Sequence, residues 1–129
     1  MVVDTSALLA ILDNEADSLR FAHAMATAGS LAISAGTLVE AGLVASRAGG
    51  EKGIAALDRL LAQLDIAVVP VDLPQVSSAR EGLLAFGKGR HPARLNLGDS
   101  FAYALARHLN EPLLFKGNDF AQTDVRRAL

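Results

Sequence analysis

Short apolar runs alternate along this chain with Ala/Leu-rich segments whose apolar positions recur every three to four residues, the two periods of strand and helix. Residues 2–4 (VVD) read as a first strand, and a helix follows from Thr5 or Ser6, whose hydroxyls suit a helix N-cap. Residues 15–28 carry Leu19, Ala22 and Met25 at helical spacing and close on Gly29, which predicts a second helix. LAIS at 31–34 is a second strand. Residues 37–50 form a helix ending in two glycines. Residues 51–64 form another, with Ile54, Leu57, Leu61 and Leu64 on one face. IAVVPV at 66–71 is a third strand, and Pro70 marks a strand end or a sheet edge. A helix over 73–87, a basic loop over 87–94, a strong helix over 98–110 and a fourth strand over 112–117 complete the pattern.

Strands that alternate with helices predict an α/β fold with a mostly parallel sheet. The strands are continuously apolar, as expected where helices cover both sheet faces. With 129 residues, no internal repeat and no linker-like stretch, residues 1–129 read as one domain with one core. Half of the residues are hydrophobic and a fifth are charged, a folded composition. The formal charge of −2 gives no global attraction to a polyanion, so such a partner needs a local basic patch or a bound cation. With no cysteine there is no disulfide, thiolate zinc site or thiol catalysis. No basic leader precedes the first apolar run, and no stretch nears the about 20 apolar residues of a membrane span. A soluble, cytoplasmic protein with no membrane partner is the expectation.

Ligands of open α/β sheets gather beyond the carboxyl ends of the strands. Four acids map to that edge: Asp4 at the end of strand one, Glu40 in the helix after strand two, Asp99 at the start of the helix before strand four, and Asp119 just after strand four. Crowded carboxylates stay ionised only beside a cation. Mg²⁺, a hard ion that takes oxygen ligands and retains waters, suits such a group, and it can activate water against a phosphodiester. On this reading Asp4 is a metal ligand, and Thr5 and Ser6 orient it. Each acid also has a bland explanation. Thr37 with Glu40, and Asn96 with Asp99, have capping-box spacing, and Asp119 can favour a helix N-terminus. Asp4 is the hardest to explain away, because a lone carboxylate at the end of an apolar strand is costly.

The stretches VVDTSALLAIL, TLVEAGLV, LNLGDSFAYALA and LLFKGNDF, in this order and spacing, resemble the PIN-domain ribonucleases, and among them the VapC-type toxins of bacterial toxin–antitoxin modules. The resemblance implies a three-layer fold whose sheet has four or five strands, and a metal-dependent endoribonuclease. It assigns Asp4, Glu40 and Asp99 as the first three acids of the site and Asp119 as the fourth, with Asp124 as a neighbouring candidate. It also implies Mg²⁺ or Mn²⁺ as cofactor, a homodimer, a cognate antitoxin covering the acidic groove, and an RNA substrate, tRNA or another structured RNA. Asp4, Glu40, Asp99 and Asp119 would then serve as both catalytic and metal-binding residues. The basic loop just before Asp99, with Lys88, Arg90, His91 and Arg94, and Lys116 after strand four, are the candidates for RNA contact. The bland reading of that loop is a solvated surface. His23 and His108 lie in helices and are expected to be structural or solvated.

Two other readings compete. A receiver-like phosphoacceptor domain also places an acid after strand one and a lysine after a late strand, as Asp4 and Lys116 do. It leaves Glu40 and Asp99 unexplained, and strand three ends in Pro70-Val71-Asp72 rather than directly in an aspartate. A PIN-like module that binds RNA or a partner without cutting is the other.

Overall fold

In the computed structural model, which describes residues 1–129, nine elements follow one another: β1 (Val2–Val3), α1 (Thr5–Leu12), α2 (Ser18–Ala26), β2 (Ala32–Ser34), α3 (Ala35–Gln63), β3 (Ala67–Val69), α4 (Leu73–Phe86), α5 (Leu97–Leu109) and β4 (Leu113–Leu114). The strands lie in the order β3-β2-β1-β4, all parallel, with Val2 opposite both Ala32 and Leu113. Alternate residues of each strand face opposite sides. Val3, Ile33 and Leu114 join Leu8, Met25 and Leu57 in one apolar cluster beneath α1, α2 and α3. Val2, Leu113 and Phe115 join Ala102, Leu105 and Phe120 in a second cluster on the side of α5. The result is three layers, helices on both faces of a parallel sheet, as the apolar strands predict.

The expected break between two helices at residue 50 is present as a sharp turn inside α3. Gly50 has φ 58° and ψ −139°, a conformation that strains residues with a β-carbon. The second half folds back so closely that a β-carbon on Gly53 would strike the backbone carbonyl of Ala45.

Other boundaries differ from expectation. The second helix spans only Ser18–Ala26, because the chain turns through Asn14 at φ 49° before it. Helix α3 starts at Ala35, capped by Ser34, whose Oγ accepts the Gly36 N–H at 3.3 Å. Thr37 is therefore not a cap, and Glu40 sits in the second turn rather than the first. Strand β3 is shorter than 66–71 and lies at the sheet edge, with Val68 48% exposed. The other edge is partly covered by the C-terminal residues. The Leu113 N–H donates to the Arg126 carbonyl at 2.8 Å and the Ala128 N–H to the Leu113 carbonyl at 3.0 Å, a single parallel bridge in place of a fifth strand.

Candidate active site

The chain leaves β1 toward β2 on one side and returns to β4 on the other, so the sheet changes direction between β1 and β4. Crevices at the carboxyl ends of strands form at such a switch point. Asp4 is the residue there. It is the N-cap of α1 and is buried. Its Oδ2 accepts the Ser6 backbone N–H at 3.0 Å and the Ser6 hydroxyl at 2.6 Å. Its Oδ1 is buried without a hydrogen-bond partner. Burial raises its pKa above the usual carboxylate value; the Ser6 hydrogen bonds oppose this, and the Glu40 charge adds to it.

Asp99 opens α5 in the capping box that its spacing predicts. Its Oδ2 accepts the Asn96 N–H at 2.8 Å, and its own N–H donates to Asn96 Oδ1 at 3.0 Å. The bland reading of this residue, a capping box, is therefore present in the structure. Burial pushes its pKa up to about 7. The Asn96 hydrogen bond resists, while the charges of Asp4, Asp119 and Glu40 push the same way. Asp99 thus feels the charges of the other three acids.

Glu40 reaches the group from α3. Its Oε2 accepts the Thr5 hydroxyl at 3.0 Å, and its carboxylate lies against Gly98 in the first turn of α5, where a β-carbon would collide with it. Asp119 is exposed on the segment after β4, between Gly117 at φ 93° and the buried Phe120, which packs on Phe115 with ring centroids 5.1 Å apart. Asp124 points elsewhere: it accepts the Tyr103 hydroxyl at 2.9 Å and pairs with Arg107. Burial and that bond to Asp124 raise the Tyr103 hydroxyl to about 12, so it stays neutral as a donor.

The orphaned Asp4 Oδ1, the all-oxygen donor set and the raised acids fit a hard divalent cation. No three acidic or histidine side chains stand close enough to form a ready-made cage, so the donors would have to draw together on an ion.

Three expected roles change in detail. The Thr5 side chain steadies Glu40 rather than Asp4, because its hydroxyl points across to α3; the Ser6 hydroxyl holds Asp4. Lys116 pairs with Glu15, so its ammonium is already engaged. In the basic loop, Lys88, Arg90 and Arg94 are exposed. His91 turns inward, with its Nδ1 accepting the Ala93 N–H at 3.1 Å and its ring edge-on to Phe86 at 5.2 Å. The loop is closed at its base by hydrogen bonds from Lys88 N–H to the Leu95 carbonyl and from Leu95 N–H to the Phe86 carbonyl, at 3.1 and 2.9 Å. His23 and His108 are exposed and lie away from the acids on their own helices.

A parallel sheet with helices on both faces and acids at its switch point is the arrangement that the resemblance to the PIN domain implies. A family model of the PIN domain covers residues 1–126, and the chain belongs to that family. It is 45% identical over 130 aligned residues to the ribonuclease VapC28 of Mycobacterium tuberculosis, covering 100% of this chain and 98% of that one. It is 44% identical to a ribonuclease VapC of Mycolicibacterium smegmatis, covering 97% of each. These relatives place it among the VapC-type members of the PIN-domain family. The receiver-like reading falls with that assignment. Among solved structures, Mycobacterium tuberculosis VapC20, a toxin that cleaves the sarcin–ricin loop, superposes with a TM-score of 0.76 at 20% identity, covering 96% of this chain and 95% of that one. VapBC2 of Rickettsia felis, bound to a promoter DNA fragment, superposes with a TM-score of 0.73 at 18% identity, covering 98% and 94%. Both share the fold.

Proposed function

We propose that the protein hydrolyses RNA phosphodiester bonds at the Asp4–Glu40–Asp99–Asp119 group with the help of Mg²⁺ or Mn²⁺. The observation that carries this reading is the buried Asp4 carboxylate, one oxygen held by Ser6 and the other without a partner. Asp4 and Asp99 would be the main ligands, completed by Glu40 and Asp119. A divalent cation bound there would supply acidity to a water and offset charge at phosphorus. The chain does the rest. Ser6 and Asn96 fix the carboxylates of Asp4 and Asp99, and Thr5 fixes that of Glu40. A free oxygen of the group takes the proton of the attacking water. The water oxygen bonds to phosphorus, the bond to the 3′ oxygen breaks, and that oxygen leaves with a proton from solvent. Histidine is not required.

Lys88, Arg90 and Arg94 draw RNA phosphates toward the acids, a local attraction in a chain of charge −2. A cognate antitoxin holds the enzyme in check, the working form is a homodimer, and the substrate is tRNA or another structured RNA. The two VapC ribonucleases above support the activity, and the family resemblance supports the partners.

The test is cleavage of total bacterial RNA by the purified protein with Mg²⁺, with Mn²⁺ and with EDTA, beside Asp4→Asn and Asp99→Asn. Fragments should appear with metal, vanish in EDTA and fall at least a hundredfold in either variant. Cleavage that persists in Asp4→Asn, with the variant folded, removes Asp4 from the site.

A further inference from the structure

We propose that Ser6 is a positioning residue that ties the segment carrying Asp119 to Asp4, so that the fourth acid is set by a hydroxyl from the other end of the chain. The inference deepens the metal-site reading above and rests on it for its catalytic meaning.

The ladder between β1 and β4 explains why such a tie exists. Val2 N–H donates to the Pro112 carbonyl at 2.9 Å, and Asp4 N–H to the Leu114 carbonyl at 3.0 Å. In a parallel ladder continued by one rung, the Lys116 N–H would donate to the Asp4 carbonyl. That carbonyl already accepts from Ala7 and Leu8, at 3.2 and 3.5 Å, because α1 starts there. The Ser6 hydroxyl takes its place and accepts the Lys116 N–H at 2.9 Å, while its own hydrogen goes to Asp4 Oδ2 at 2.6 Å. A hydroxyl has one hydrogen and two acceptor positions, so both bonds form at once. The rung joins residues 110 apart in sequence.

What this rung holds is the root of the Asp119 segment. After Lys116 the chain turns at Gly117, φ 93°, and reaches Asp119 two residues later. On the far side Phe120 is anchored on Phe115, whose ring also carries the Arg127 guanidinium 4.9 Å from its centroid. Asp119 therefore hangs between two anchors, Phe120 and the Ser6–Lys116 bond. The only other restraint at Lys116 is its ion pair with Glu15, and both side chains are part-exposed, where such pairs hold little.

The test uses Ser6→Ala and Ser6→Thr in the full chain. The position-6 backbone N–H still caps α1 in both variants. Amide hydrogen exchange of the metal-free protein reads the tie directly. In Ser6→Ala the Lys116 amide should exchange roughly five- to tenfold faster, Asp4 should be unchanged, and Ser6→Thr should restore protection. An unchanged Lys116 amide overturns the proposal. Mn²⁺ titration calorimetry then asks what the tie serves. Ser6→Ala should weaken Mn²⁺ binding about tenfold, and by clearly less in an Asp119→Asn background, where only the bond to Asp4 remains to be lost. Equal weakening in both backgrounds overturns action through Asp119 and assigns Ser6 to Asp4 alone. The exchange measurement needs neither metal nor RNA. A protein that binds no Mn²⁺ thus sinks the metal reading, and the Lys116 amide still decides the tie.

Discussion

Gly98 has no β-carbon, and the Glu40 carboxylate lies where one would be. The atom that a new methyl group would meet is the end of a flexible side chain, so the collision is relieved by moving Glu40 rather than by moving backbone. The helix itself gains from alanine, which is the better helix former. The two effects separate fold from function at one position. Gly98→Ala should leave Tm unchanged or slightly raised, while kcat for RNA cleavage falls about ten- to a hundredfold, the usual cost of displacing a group at a metal site. Thermal unfolding and single-turnover cleavage on the same preparation check this. A variant with unchanged kcat would show that the Glu40 carboxylate needs no fixed place. The same residue shows what a sequence withholds. GDS at 98–100 marks Asp99 as a helix-opening acid, but a contact between Gly98 and a side chain from another helix has no periodicity and leaves no trace in either segment.

Gly50 and Gly53 make the same kind of argument for an element. Helix α3 doubles back on itself because Gly50 adopts φ 58° and ψ −139° and because Gly53 lets the second half approach the carbonyl of Ala45. Nothing surrounds Gly50, so Gly50→Ala carries only backbone strain, about 1–3 kcal/mol. Gly53→Ala meets rigid backbone and should cost at least as much. Gly42, helical and facing open space, is the control, and Gly42→Ala should stabilise by up to about 1 kcal/mol. Urea unfolding of the three variants checks the order, and a neutral Gly50→Ala would contradict it. The Gly49–Gly50 pair made this break legible in the sequence, since two helix breakers between two amphipathic segments have one plain reading. The apolar strands and the capped start of α5 were legible for the same local reason. The C-terminal bridge to Leu113 was not: Arg126 and Arg127 look like a polar tail, and their pairing is made by backbone atoms alone. In the candidate site, Asp4 announces itself by ending a strand and Asp99 by opening a helix. The long-range bonds of Thr5 to Glu40 and of Ser6 to Lys116 join segments 35 and 110 residues apart, and no local pattern encodes them.

Gathering acids at one sheet edge has a consequence for the molecule as a whole. Asp99 titrates near 7 in the folded chain against an ordinary value of 3.8, and Asp4 is raised too. Between about pH 4 and pH 7 the folded protein thus binds more protons than the unfolded one at these residues. Stability from these groups is full at the acid end of that window and is lost as pH rises through it, the reverse of the usual salt-bridged carboxylate. A divalent cation removes the penalty by neutralising the ionised acids, and it adds stability as RT ln(1 + [M]/Kd), about 2.7 kcal/mol at a hundredfold excess over Kd. The metal-free protein should therefore lose Tm relative to Asp99→Asn as pH rises from 4.5 to 7.5. Asparagine keeps an oxygen for the Asn96 N–H and cannot ionise, so the variant should be the more stable of the two at pH 7.5. Mn²⁺ should then raise the Tm of the parent by several degrees and that of Asp99→Asn by much less. Differential scanning calorimetry across this pH range, with EDTA and then with Mn²⁺, measures both effects. Comparing the two proteins cancels the titrating groups that do not feel Asp99. Parallel Tm–pH curves would mean that Asp99 ionises in the folded chain as easily as in water. A Tm that Mn²⁺ leaves unmoved would mean that the crowded acids are stabilised by something other than a cation.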